Sequence, residues 1–147
     1  MITNHGVSNP LTPQQSQAQV VDAAKEIVHI LGLKPIEPAF SHTSCNDQGD
    51  PPFQGSMRIG YPNAASFEAS QAEIADMVRR LKSIGWTSPP DVHTHGTALE
   101  KNGVTAIFGP QNVSTSTRDL IIEGECRDVT TTKQDANRPH IVDLSTQ

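Results

Sequence analysis

The most restrictive signal in the sequence is the dipeptide Asn102-Gly103, which stands between two segments of strand-like composition, 98–101 and 104–108. A type I′ turn needs a positive φ angle at both central residues, and Asn followed by Gly tolerates that requirement well. The sequence therefore predicts a tight hairpin here, with its two strands antiparallel.

Two amphipathic helices are predicted from apolar spacing and from their end signals. The first begins at a capping box formed by Thr12 and Gln15, and Gly32 is placed to end it in the left-handed conformation. The second spans about 66–84, with Gly85 as its C-cap. The apolar residues at helical spacing are Val20, Ala24, Ile27, Val28 and Leu31 in the first helix, and Phe67, Ile74, Met77, Val78 and Leu81 in the second.

Three further strands are predicted, over 39–45, 53–61 and 118–127. The element order is then α-β-β-α-β-β-β. Short links favour antiparallel pairing, and each helix needs a surface on which to bury its apolar stripe. We therefore expect an α+β fold, a two-layer sandwich with two helices packed on one antiparallel sheet of about five strands.

The chain is expected to divide into three parts. Residues 1–13 are predicted to be disordered or extended, residues 14–128 to form a single α+β domain, and residues 129–147 to form an extended C-terminal tail. A length of 147 residues suits one domain with one core.

Composition argues against two classes of partner. The net charge is −5, and the 11 Lys and Arg residues are scattered along the chain, whereas phosphate binding needs them clustered. We therefore predict no nucleic-acid partner. No run approaches the roughly 20 apolar residues that span a bilayer, so contact with a membrane is expected only through an N-terminal lipid anchor outside this chain.

The two cysteines, Cys45 and Cys126, lack the CxxC spacing of zinc or dithiol redox sites. Three interpretations are open: two buried free thiols, a catalytic thiol, or a disulfide. A disulfide would close a loop of about 80 residues, which the chain-entropy model values at about 4–5 kcal/mol. No motif around either cysteine supports a nucleophile.

The order and spacing of several short motifs resemble those of small exported actinobacterial lipoproteins, among which mycobacterial LppA-type lipoproteins look like members. The motifs are Ser44-Cys45, residues 81–86 (LKSIGW), Asn102-Gly103 and Gly124-Glu125-Cys126. The resemblance covers about residues 14–128. It implies an export signal and a lipidated cysteine ahead of Met1, an oxidised Cys45–Cys126 pair and a location in the cell envelope.

His93 and His95 are candidates for chemistry because residues two apart in an extended segment point the same way. A third imidazole, from His42 or His140, could complete a metal site. The chain nevertheless lacks HExxH or facial-triad spacing, and histidines beside a proline-rich loop are typical of solvent-facing turns. We therefore predict no metal and no cofactor.

Trp86 follows directly after Gly85, a position typical of an apolar residue that packs back on the last helical turn. The alternative is an aromatic at a binding site, since apolar residues in exposed loops often make contacts. We keep Trp86, His93 and His95 as candidate binding residues and predict no catalytic residue.

These observations favour a non-enzymatic exported domain of the cell envelope, with or without a lipid anchor, that acts by binding a protein, lipid or envelope component. A small metal-dependent or hydrolytic enzyme using His93 and His95 is one alternative. A cytosolic immunity or adaptor protein with reduced thiols is the other.

Overall fold

A computed structural model describes residues 6–89, 96–136 and 138–145 and shows two helices on an antiparallel sheet, which confirms the predicted α+β class. The elements are α1 (Pro13–Leu31), β1 (Ile36–Ser44), β2 (Phe53–Pro62), α2 (Phe67–Lys82), β3 (Thr97–Lys101), β4 (Val104–Phe108), β5 (Thr117–Glu123) and β6 (His140–Ile141). The sheet has the order β3-β4-β5-β2-β1-β6, and within the described residues it has six strands, not the five expected.

The start and end of α1 are as predicted. The Gln15 amide donates to Thr12 Oγ1 at 3.0 Å, and the Thr12 amide donates to Gln15 Oε1 at 2.9 Å, which completes the capping box. Gly32 ends the helix with φ 64°. Two of the donors that a helix start leaves without partners are thus satisfied by local sequence alone.

The end of α2 differs from the prediction. The helix stops at Lys82, and its C-cap is Ser83 in a right-handed conformation, not Gly85. Gly85 lies two residues further on with φ 106°, in a turn that lets the Trp86 amide donate to Leu81 O at 3.1 Å. The glycine is needed for that turn, and the turn directs Trp86 back into the core.

The hairpin of β3 and β4 is confirmed. Asn102 has φ 52° and Gly103 has φ 81°, and Lys101 pairs directly with Val104. The positive φ angles are those that a type I′ turn requires.

The first and last predicted strands had the wrong bounds. β1 begins at Ile36, because Pro38 is accommodated where the register with β2 shifts between Ile36 and Ala39. β5 ends at Glu123, and beyond it the Glu125 amide donates to the Gln19 side chain at 3.0 Å, outside the sheet. Consequently Cys126 lies beyond the strand, and it is exposed.

The C-terminal residues return to the free edge of β1. There β6 pairs His140 with Phe40 and Ile141 with Ala39. Leu144 is only 3% exposed and belongs to the main core. The sixth strand is therefore a short strand that covers β1, which would otherwise be the edge strand of the sheet.

The core lies between the helices and one face of the sheet. Its fully buried side chains include Phe40, Met57, Ile59, Leu120 and Ile122, with Val20 and Ile27 from α1. Gly55 lets α1 approach β2 closely, since a Cβ there would lie 2.6 Å from Ser16 O. The position of α1 on the sheet is therefore set by backbone contact as well as by side-chain packing.

Cys45 and Cys126 form a disulfide, with Cα atoms 6.2 Å apart across a sequence separation of 81. It joins the residue after β1 to the segment after β5, and both cysteines are exposed. The N-terminal segment lies beside it, because the Leu11 amide donates to Arg127 O at 2.8 Å. We call this part of the molecule the disulfide end.

Neither helix in the described part of the chain is long and apolar enough to cross a membrane.

Candidate functional site

A groove of about 700 Å³ opens between the last turn of α1, the start of β1 and the C-terminal residues after β6. Since α1 begins at the disulfide end and finishes here, we call it the distal groove. Its volume lies in the range of small-ligand sites, roughly 300–1,000 Å³. The apolar side chains that line it are Val28, Leu33, Pro35, Pro38, Ile141, Val142 and Leu144.

Backbone hydrogen bonds hold both walls of the distal groove. On one side Gly32 ends α1, and the Leu33 amide donates back to Val28 O at 3.1 Å. On the other side the Val142 amide donates to Pro38 O at 2.9 Å, and Leu144 is buried in the core. The groove is thus a preformed concavity of the fold.

Few polar side chains line the distal groove. His29 and Asp143 both line it, and both are exposed. The Ser145 amide donates to Asp143 Oδ1 at 2.9 Å, and this bond holds the pKa of the Asp143 carboxyl below its usual value, with a smaller contribution from Lys25. An apolar lining with one carboxylate and one imidazole suits recognition of an apolar group and supplies no paired acid and base.

Trp86 lines a second, smaller cleft of about 250 Å³ between α1 and the β3–β4 hairpin. Its indole N–H donates to Glu26 Oε1 at 3.2 Å, and Lys101 Nζ donates to the same oxygen at 3.1 Å. Trp86 is only 2% exposed and belongs to the main core. Its ring therefore packs inward, and its one polar group is already used.

His93 and His95 lie outside the described residues, so their predicted roles stay predictions. His42 and His140, proposed as third ligands, both pack against Phe40, with ring centroids 4.9 Å and 5.7 Å from its own. His42 Nε2 also lies 3.0 Å from Pro13 O. Within residues 6–89, 96–136 and 138–145, no group of three or more His, Cys, Asp or Glu side chains is placed to hold a metal ion.

Arg118 is a buried cation, and no motif in the sequence pointed to it. It is 4% exposed and donates to Pro62 O at 2.6 Å and to Glu73 Oε1 at 2.9 Å. It also donates to Ser70 Oγ, and its guanidinium lies 4.5 Å from the Tyr61 ring centroid. Because protein groups occupy its donors, we interpret Arg118 as a clamp between α2 and the sheet, not as a ligand site.

The pKa of the neighbouring Tyr61 phenol is also shifted. Burial raises the pKa of Tyr61 above 10.0, and the Arg118 charge opposes that rise. The Tyr61 hydroxyl is buried with no hydrogen-bond partner among the described residues. A neutral phenol against a buried cation is consistent with a structural role for both.

Sequence reasoning missed the distal groove because its walls are far apart in the chain. One wall comes from residues 28–38 and the other from residues 141–145. The only local signal was the apolar content of 141–144 (IVDL), which suggests a short segment but not its partner.

Comparison with known proteins gives a match over residues 12–145 to the family model described as "Putative lipoprotein LppJ". Proteins of that name from Mycobacterium tuberculosis strain H37Rv and from Mycobacterium bovis are each 37% identical over 142 residues, which is 95% of this chain and 74% of the relative. The same figures hold for the protein of M. tuberculosis strain CDC 1551. No solved structure matches the chain significantly.

Proposed function

Since this chain belongs to the LppJ lipoprotein family, we propose that it is an exported domain of the cell envelope that acts by binding and not by catalysis. The resemblance to mycobacterial lipoproteins is confirmed at the level of the family. The relatives are of the LppJ type, however, and the LppA type suggested by short motifs is not confirmed.

The observation that carries the binding proposal is the distal groove. It is apolar, preformed and large enough for a small ligand or for part of a larger one. Its lining holds no pair of groups arranged as nucleophile and base. An envelope component with an apolar part is the kind of ligand that this site fits.

The disulfide supports the exported location. Disulfides persist in oxidising compartments and are rare in reducing cytosol. The Cys45–Cys126 bond is exposed, so a cytosolic reductant would reach it readily. The alternative of a cytosolic protein with reduced thiols is therefore disfavoured.

The position of the N-terminal segment suggests how the domain is oriented. From Gly6 to Leu11 the chain approaches the disulfide end, while the distal groove lies at the other end of α1. At about 1.5 Å per residue, the 19 residues of α1 separate the two ends by about 28 Å. An anchor on the N-terminal side would thus leave the groove facing away from the membrane.

Binding can be tested with Nile red, a neutral apolar dye that fluoresces when it leaves water. We expect saturable binding to the purified protein and at least a fivefold weaker affinity for Ile141→Asp, which places a charge in the groove at a 63% exposed position. Val113→Asp is the matched control, because Val113 is a fully exposed aliphatic residue remote from the groove. Binding that is absent, or equally weakened by both substitutions, would contradict the proposal.

Location is tested separately by titrating thiols in denatured, unreduced protein isolated from the native host, together with fractionation of its cells. We expect no free thiol and recovery in the envelope fraction. Two free thiols per chain would support the cytosolic alternative. For the enzymatic alternative, metal analysis of protein prepared without chelators should find no stoichiometric transition metal that disappears in His93→Ala.

A further inference from the structure

We infer that β6 and the distal groove together bind an extended peptide segment of a partner protein, in which apolar residues alternate with lysine or arginine. The segment adds to the sheet as a further strand beside β6. This inference rests on the proposed binding function and adds the chemical class of the ligand. Three observations carry it: a free edge of the sheet, an apolar concavity beside that edge, and the sign of the charge in the lining.

The outer side of β6 is a free edge, because β6 is the last strand of the sheet within the described residues. The Val142 amide donates to Pro38 O, so these two residues form a hydrogen-bonded pair across β6 and β1. Ile141 and Ala39 form the next pair. Successive pairs of an antiparallel ladder alternate between bonded and non-bonded. The N–H and C=O of Ile141 therefore point away from β1, where an added strand can reach them.

The distal groove lies directly beside this edge, since residues 141–145 form one of its walls. Pro139 lies just before β6 and lacks an N–H, so it cannot donate to an added strand. Pairing is therefore directed along 140–143, towards the groove. Side chains alternate between the two faces of a strand, so every second residue of the bound segment can pack on the apolar lining.

The charge of the groove lining favours a basic segment. Asp143 has the only carboxylate in the lining, and no lysine or arginine lines the groove. The bond from the Ser145 amide keeps the Asp143 pKa below its usual value, so the carboxylate is ionised at neutral pH. Glu37 is exposed and directly precedes the lining residue Pro38. The C-terminal end of α1, where the helix dipole is negative, borders the groove at Gly32.

Two lysines lie near the groove without lining it. Lys25 acts on the pKa of Asp143, and Lys34 is exposed next to Leu33. They offset part of the negative charge, so the preference for a basic segment is expected to be modest. Most of the affinity should come from the backbone pairing and from the apolar contacts.

A peptide uses all three features, whereas other occupants use fewer. A neutral apolar molecule would fill the groove and leave the Ile141 N–H and C=O and the Asp143 carboxylate unused. A second copy of this chain would offer its own β6, which has two residues and is preceded by Pro139, so few hydrogen bonds could form between copies. In strand addition, backbone hydrogen bonds give affinity and contacts of alternate side chains give selectivity.

The first test uses three acetylated and amidated heptapeptides in which valine alternates with lysine, threonine or glutamate. Binding to the intact, oxidised protein is measured by isothermal titration calorimetry at low salt. We expect the lysine peptide to bind about threefold more tightly than the threonine peptide, and the glutamate peptide to bind most weakly. The difference between the peptides should shrink as salt is added.

Backbone pairing is tested without changing the protein, by two further forms of the lysine peptide. One is N-methylated at every valine and the other at every lysine. The N–H groups of successive residues in a strand point to opposite sides, so only one form loses the donors that face β6. That form should bind about tenfold more weakly, and the other should bind like the parent peptide. Equal affinities of the two methylated forms would overturn strand addition.

Ile141→Pro removes the outward N–H of β6 and leaves the bond from Val142 to Pro38 in place. Proline requires an extended residue before it, and His140 lies in a strand. We expect at least about fivefold weaker binding of the lysine peptide. Ile141→Val is the matched control, because it keeps the N–H and an apolar, β-branched side chain. Thermal unfolding checks that both variants are folded.

Asp143→Asn should remove the preference for the lysine peptide over the threonine peptide. The affinity for the threonine peptide should stay unchanged. Asp47→Asn is the matched control, because Asp47 is also exposed but lies two residues after Cys45 at the disulfide end. A preference that survives Asp143→Asn would overturn the role given to this carboxylate.

The remaining outcomes separate this inference from the proposed function. Saturable Nile red binding without binding of any peptide would overturn the inference and leave groove binding intact. Peptide binding that Ile141→Pro does not change would overturn it, because the peptide would then bind elsewhere. A dimer in sedimentation that Ile141→Pro dissociates would also overturn it, since a second copy would then occupy the edge. Failure of Nile red as well as of all peptides would contradict groove binding itself.

Discussion

The two ends of α1 lie in very different surroundings. At the disulfide end a covalent bond, a buried carboxylate and the N-terminal segment all converge, and Asp128 is 0% exposed. At the other end the groove is open, and Ile141, one of its lining side chains, is 63% exposed. The same sheet and helix thus run from a crosslinked end to the end that holds the distal groove.

With the groove as the proposed binding site, stability and recognition would be carried by separate residues. Proteins that bind ligands often place the site on the less constrained part of a rigid scaffold. Here the strongest constraints lie about one helix length away from the groove. Changes at the disulfide end should therefore act on unfolding, and changes in the groove should act on binding.

The largest expected effect is loss of the disulfide. Cys45→Ser combined with Cys126→Ser should lower the free energy of unfolding by up to about 4–5 kcal/mol, because the crosslink closes a long loop in the unfolded chain. Urea unfolding can be followed by the fluorescence of Trp86, the only tryptophan. Nile red affinity at low urea should be unchanged. A double variant that is as stable as the parent would show that the crosslink does not stabilise the fold. A double variant that loses dye binding while still folded would show that the two ends are not independent.

The second largest loss of stability is expected when the Asp128 carboxylate is removed. Its carboxylate accepts from the Thr130 and Thr131 amides, each at 3.0 Å, and from the Thr131 hydroxyl. Asp128→Ala leaves these donors without a partner and should cost about 2–3 kcal/mol of unfolding free energy. Asp128→Asn keeps one acceptor oxygen and should lose clearly less. Equal loss in both variants would show that the charge, and not the hydrogen bonds, matters.

A smaller effect on stability is expected at Tyr61, one residue before the end of β2. Burial raises the pKa of the Tyr61 phenol in the folded protein. The stability that depends on the neutral phenol is therefore complete below about pH 10 and is lost as pH rises through the folded pKa. Tyr61→Phe should remove this alkaline loss, and at neutral pH it should change stability by less than about 1 kcal/mol, because the hydroxyl has no partner among the described residues. Tyr61 is the only tyrosine, so tyrosinate absorbance reports its titration directly.

The smallest effect on stability is expected in the groove itself. Ile141→Asp should change the free energy of unfolding by no more than about 0.5 kcal/mol, because the side chain is largely exposed. The same variant is expected to have the largest effect on ligand binding. If thermal unfolding shows a loss of several kcal/mol, the separation of the two ends is wrong and the groove contributes to the fold.

The sequence predicted the elements whose signals are local. The capping box at Thr12, the C-cap at Gly32 and the turn at Asn102-Gly103 each depend on residues within one turn of each other. The disulfide also agrees with the pairing expected from the resemblance to exported lipoproteins. The caps and the turn are encoded where they occur, so a single sequence is enough to find them, whereas the disulfide pairing came from the resemblance.

The features that were missed depend on distant residues. A two-residue strand such as β6 has no periodicity of its own, and it exists because the free edge of β1 is available to pair with it. The groove depends in turn on that pairing, since β6 brings Ile141 beside Leu33. Trp86 packs inward, as its position after Gly85 predicted. Its partner Glu26, however, lies 60 residues away, and no local pattern points to it.

The hydrogen bonds around Arg127 determine how a pull on the N-terminal segment is transmitted. Besides the bond from the Leu11 amide to its carbonyl, Arg127 donates from its side chain to Asn9 O at 2.6 Å. Arg127 follows directly after Cys126, which is covalently joined to Cys45 at the end of β1. In a domain held by an N-terminal tether, tension would enter beside the least extensible point of the fold. The groove, at the far end of α1, would be the part of the molecule that such tension strains least.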